Sequence, residues 1–149
     1  MHLLRGRLDN GRIRIKVGIR PFQPFEPVDG VSTAFNLHFH EFTALVDTGA
    51  QRTCVTENVV QQLNLRRRGR VEIWNIKRPE EHFTYLFHVG IWPDAEDNVP
   101  ATVFGIGSEI EGIDVGNNRF FDVLLGMDII TQGSLHLRRD GSFEMGFPG

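Results

Sequence analysis

The chain has 149 residues, 40% of them apolar and 23% charged, a balance that suits one soluble folded domain and excludes wholesale disorder. Its 16 basic and 19 acidic side chains leave a formal charge of −3, too near neutral to demand a nucleic-acid or membrane partner. A single cysteine, Cys54, excludes an intramolecular disulfide framework and a cysteine-only zinc site.

Arg5, Arg7 and Asp9 stand where a signal peptide would need an apolar core. No apolar run reaches the roughly 18 residues of a bilayer-spanning helix. The expected location is therefore cytoplasmic and reducing. From Arg12 to Val17, basic and apolar residues alternate strictly, which predicts a strand with Ile13, Ile15 and Val17 on one face. Asp9-Asn10-Gly11 is turn chemistry, so a hairpin over about Leu3 to Ile19 is expected. Pro21, Pro24 and Pro27 then break the ladder into a surface loop.

A second strand pair is expected across Val31 to Val46. One helix is predicted over Thr56 to Leu65, capped by Thr56, with Val59, Val60 and Leu63 at helical spacing. The basic run Arg66 to Arg70 suits its C-terminus. Strands return at Val71 to Lys77 and His82 to Ile91, joined by a turn at Arg78-Pro79-Glu80-Glu81. Later strands fall near Ala101 to Ile106, and at Ser134 to Arg138 with Ser142 to Phe147 across an Asp140-Gly141 turn. The pattern reads as all-β with one or two short helices, closed or nearly closed.

Ala44-Leu45-Val46-Asp47-Thr48-Gly49-Ala50 carries the chemistry. An acid at the end of a buried apolar strand is costly unless something specific holds it. Gly49 allows a sharp turn whose amide reaches the carboxylate, and Thr48 offers a hydroxyl as a second anchor. Far downstream, Asp122-Val123-Leu124-Leu125-Gly126-Met127-Asp128-Ile129-Ile130 places two apolar residues before a glycine. Together these stretches resemble the active-site loop and the later apolar-apolar-Gly motif of retropepsin-like aspartic proteases. The form around Gly126 is similar to the retropepsin-like domain of DNA-damage-inducible proteins and their bacterial relatives. The resemblance runs from about Leu37 to Phe147 of a single domain spanning 1–149, leaving the amino-terminal hairpin and proline loop of 1–36 outside it.

That resemblance implies a barrel of the acid-protease type and a homodimer, because the chain holds one Asp-Thr-Gly where pepsin-type enzymes carry two such loops. Asp47 would be catalytic, paired with its symmetry mate; Thr48, Gly49, Ala50 and Gly126 would support the loop, with the Thr48 hydroxyl crossing the dimer axis. Ala50 replaces the Ser or Thr of pepsin-like loops, which predicts a mildly acid optimum. Val71 to Phe87 would form the flap, with Trp74, Ile76, Phe83 and Tyr85 against a bound peptide, although ordinary strand packing is the plainer reading of those four. Retroviral enzymes carry acidic residues where Gln51 and Arg52 stand and an arginine where Met127 stands. An Arg52–Asp128 pair of reversed polarity is the candidate replacement. Phe143 to Phe147 either interleaves with a partner chain or pairs within its own subunit.

The expected partners are a peptide or protein substrate and a second copy of the chain, with no nucleic acid, membrane, metal or cofactor. His38 and His40 share a strand face, but no third zinc ligand is spaced near them. Cys54 reads as a small apolar group beside the loop. Two functions remain: a homodimeric endopeptidase with a narrow processing role, or a catalytically silent binding or dimerisation module.

Overall fold

The computed structural model describes residues 1–22, 38–74, 77–95 and 102–149. Among the described residues are eleven strands and two short helices. The strands are β1 (His2–Arg7), β2 (Ile13–Pro21), β3 (His40–Val46), β4 (Cys54–Thr56), β5 (Arg67–Trp74), β6 (Pro79–Ile91), β7 (Phe104–Gly105), β8 (Ile110–Val115), β9 (Val123–Leu125), β10 (Ser134–Leu137) and β11 (Ser142–Phe147). Helix α1 (Glu57–Leu63) follows β4, and α2 (Met127–Ile130) follows β9. The all-β expectation with two short helices holds. Among the described residues no helix is long and apolar enough to cross a membrane.

The main sheet runs β2-β3-β9-β4-β8-β6-β5, and a further β2–β6 pairing closes its first six strands into a ring. Strand β2 shows why the ring has an inside. Ile13, Ile15, Val17 and Ile19 are buried while Arg12, Arg14 and Lys16 face solvent, as the period of two requires. Each such aliphatic side chain contributes about 1.5–3 kcal/mol by leaving water. Tyr85, Phe87, Val89 and Ile91 of β6 fill the same core.

Three sequence expectations are corrected here. The Asn10-Gly11 turn forms, with positive φ at both residues and an isolated Asp9–Arg12 bridge, yet β1 and β2 do not continue as a hairpin. They diverge into different sheets, because β1 pairs antiparallel with β11, His2 opposite Phe147 through Arg7 opposite Ser142. Strand β11 is thereby the centre of a three-stranded sheet, β1-β11-β10, with both edges occupied. The interleaving of Phe143 to Phe147 with a partner is overturned, since no edge of that strand is open. Phe143, Met145 and Phe147 point instead into the shared core. The third correction concerns Arg66 to Arg70. Asn64 ends α1 in the left-handed conformation, and Arg67 already begins β5, so the arginines decorate a strand.

The β10–β11 hairpin forms across Asp140-Gly141 as expected, with Gly141 at φ +88. Of the strand pair expected over Val31 to Val46, β3 covers His40–Val46, and residues 31–37 lie outside the described residues. Helix α1 is shorter than expected, and Thr56 makes no side-chain cap bond. Its first-turn amide at Asn58 is met at 2.9 Å by the Asn117 side chain, from the loop between β8 and β9.

Candidate active site

Strand β3 runs parallel to β9, with Ala44, Leu45 and Val46 opposite Val123, Leu124 and Leu125. The pairing continues one step further, the Asp47 amide donating to the Leu125 carbonyl at 2.9 Å. The chain then turns. The Ala50 amide donates to the Asp47 carbonyl at 3.2 Å, and the Gly49 amide donates to Asp47 Oδ1 at 2.8 Å. This Asx-type turn aims the carboxylate by a bond from its own loop. Gly49 serves by lacking a Cβ, which would lie 3.2 Å from Asp47 Oδ1; it does not need a positive φ. Asp47 is half-buried, whereas Thr48 and Gly49 are exposed at the surface of the single chain.

The loop is locked from the other side by α2. Met127 and Asp128 amides, which have no partner within that helix, donate to the carbonyls of Ala50 (2.8 Å) and Gln51 (3.2 Å). Gly126 makes this approach possible, since a Cβ there would meet the Arg52 carbonyl carbon at 2.6 Å and the Ala50 oxygen at 2.9 Å. Sequence reasoning missed the peg that holds the two segments together. Thr53, fully buried, donates its amide (2.9 Å) and its hydroxyl (2.7 Å) to the Asp128 carboxylate and accepts the Gly126 amide at 3.1 Å. Asp128 is thus committed to Thr53, and no Arg52–Asp128 ion pair forms among the described residues. The expected reversed pair is overturned because the carboxylate points inward under the loop while Arg52 is exposed. The sequence shows an acid two residues after Gly126 and a threonine six after Asp47, but nothing local says that the two meet.

Cys54 packs beneath the loop, its thiol 3.5 Å from the Arg52 carbonyl. Burial, then the nearby carboxylates of Asp128, Asp47 and Asp114, push its pKa up to about 11. A raised thiol pKa means less thiolate at neutral pH, so alkylation of the folded protein is expected to run about 100-fold slower than that of a free cysteine. Rapid labelling of the native protein by iodoacetamide, without unfolding, would contradict this.

The expected flap is a hairpin of β5 and β6, but its turn sits earlier than the sequence reading placed it. Trp74 pairs with Pro79 and Val71 with His82, so Pro79 already belongs to a strand. A first strand residue needs no ladder donor, which is why proline is tolerated there. The hairpin projects past the ring, beyond the last β6–β8 pair at Thr84 and Ile113. Trp74 is 73% exposed near its tip. Ile76 lies outside the described residues. Phe83 is half-buried under the Arg67 guanidinium, whose carbon stands 3.7 Å from the ring centroid. Tyr85 is 4% exposed and belongs to the core, so its assignment to a peptide-facing surface is corrected: from Tyr85 to Ile91 the odd-numbered residues of β6 point inward.

No curated protein matches the chain. Among solved structures it is similar to a retropepsin-like aspartic protease from Rickettsia conorii, at 15% identity and a TM-score of 0.54, over 97% of this chain and 93% of that one. At that identity the likeness speaks for the fold. The sequence profile of the gag-polyprotein putative aspartyl protease family matches residues 32–132, more than half of the chain, and the chain belongs to that family of retropepsin-like aspartic proteases.

Proposed function

We infer that the protein is an aspartic endopeptidase whose site is completed by a second copy of the chain. The observation that carries this reading is the Asp47 loop. Its carboxylate is half-buried and aimed by the Gly49 amide, on a loop fixed by Leu125, Met127, Asp128 and Thr53, yet each chain brings only one. An acid kept at such a place, where asparagine would serve the turn as well, favours chemistry over scaffolding.

In the dimer the two Asp47 side chains meet on the two-fold axis. Carboxylates about 3 Å apart, as aspartic proteases hold them, cannot both ionise and share one proton. The ionised Asp47 takes a proton from water as its oxygen attacks the scissile carbonyl carbon. The protonated Asp47 hydrogen-bonds the carbonyl oxygen and stabilises the charge that develops there. Collapse of the tetrahedral intermediate breaks the C–N bond, and the proton taken from water passes to the leaving nitrogen. Thr48, exposed in the single chain, bonds across the axis. Trp74 on the projecting hairpin covers the substrate. The narrow processing role and cytoplasmic setting belong to the same proposal.

The test is cleavage of a diverse peptide pool from about pH 2 to 7, spanning carboxylate and histidine values. A mildly acid optimum and specific activity that falls on dilution are expected, because dimer dissociation separates the two carboxylates. Activity that peaks below about pH 3 would overturn the role given to Ala50. Folded dimer without Asp47-dependent cleavage would favour the silent binding module.

A further inference from the structure

From beside Asp47, Arg12 reaches a basic and aromatic cluster on the loop that leads into β9, where the Asp122 amide bonds the Thr43 carbonyl; the catalytic steps make no use of this cluster. Register places it. Ile13 pairs with Val46, so Arg12 stands one step further along, across the strand pair from Asp47. The Arg12 guanidinium carbon lies 5.8 Å from the centroid of Phe120, and that of Arg119 lies 5.3 Å from it. Arg14 donates to the Phe120 carbonyl. The ring is 47% exposed for a large apolar side chain, and it is held there. The Phe120 and Phe121 amides both donate to Asn118 Oδ1, at 2.8 and 3.1 Å, and Asn117 anchors the same loop on α1.

The charge around this ring is unbalanced. Asp9 pairs with Arg14 at 3.3 Å, but among the described residues no carboxylate pairs with Arg12 or Arg119. A guanidinium lying over an aromatic face keeps its N–H edge open, the geometry that takes a carboxylate through two parallel hydrogen bonds. We propose that Arg12, Arg119 and Phe120 form a substrate-recognition site for an acidic side chain in an extended peptide, placed within about three residues of the scissile bond at 3.3 Å per residue. An apolar neighbour of that acid lies on the Phe120 ring. This rests on the endopeptidase reading and adds the substrate class: peptides with an aspartate or glutamate close to the cut.

Matched peptides carrying Glu or Gln at each position around one cleavage site test it at about pH 6, where peptide carboxylates are ionised. The expected ratio of kcat/KM, Glu over Gln, is about tenfold at the recognised position, the size of one charge-assisted hydrogen bond. In R12Q/R119Q the ratio falls to near one, and R12E/R119E shifts the preference toward lysine peptides. Binding of the same peptides to Asp47→Asn protein, followed by fluorescence anisotropy, reads the site without cleavage. If no peptide is cut but the Glu preference in binding persists and is lost in R12Q/R119Q, the endopeptidase reading fails and this site stands. Equal binding and equal cleavage of Glu and Gln peptides at every position would overturn it. So would a double substitution that weakens dimerisation and leaves the ratio unchanged, since the arginines would then belong to the subunit contact.

Discussion

Asp47→Asn is expected to lower kcat/KM by at least about 10³-fold while leaving the fold intact. Asparagine keeps an oxygen that can accept the Gly49 amide, now met at 2.8 Å, so the turn loses no bond. What it cannot do is accept a proton from water or share one with its symmetry mate. Unchanged far-ultraviolet circular dichroism and an unfolding midpoint within a few degrees of wild type separate this from simple misfolding. Residual cleavage within tenfold of wild type would mean that Asp47 is not the base.

Gly126→Ala should damage stability and activity together. Its Cβ would stand 2.6 and 2.7 Å from the Arg52 carbonyl carbon and oxygen and 2.9 Å from the Ala50 oxygen. All three are backbone atoms, so no side chain can swing away and the Asp47 loop itself must move. Overpacking of this kind costs about 3 kcal/mol, or a drop of about 10 °C in Tm for a chain of this size. A displacement near 1 Å at the reacting group costs a further 10²-fold in rate. Gly116→Ala is the control, because nothing lies within 4 Å of its Cβ and its φ is not positive. A Gly126→Ala protein with wild-type Tm would show that the loop and α2 are not packed as described.

Local pattern made part of this legible. The alternation over Arg12 to Val17 fixes one strand and its buried face, because a period of two is a property of adjacent residues. The Asp47 loop could be read for the same reason: strand, acid, small residue and turn are consecutive. The partner motif at Gly126 was found by its own apolar pair. What failed depends on residues far apart in sequence. Asn10-Gly11 announces a turn but not that β1 leaves to pair with β11 at the other end of the chain. Asp128 announces an acid near the site but not that Thr53 lies beneath it. Pro79 was read as part of the connection between two strands, yet the first residue of a strand needs no ladder donor and proline fits there. Tyr85 was assigned to the flap by resemblance, while which face is inward is decided only when β6 meets β2 and β8. Phe120 gave no sequence signal at all. Its interest comes from Arg12, which reaches it only through the pairing of β2 with β3.

The most direct measurement mixes wild-type and Asp47→Asn protein at constant total concentration, after subunit exchange, and follows cleavage against the wild-type fraction. Two chains sharing one dyad predict activity that falls as the square of that fraction, because a mixed dimer holds a single carboxylate. A linear fall would mean that each chain acts alone, and would contradict a site built from two copies of Asp47.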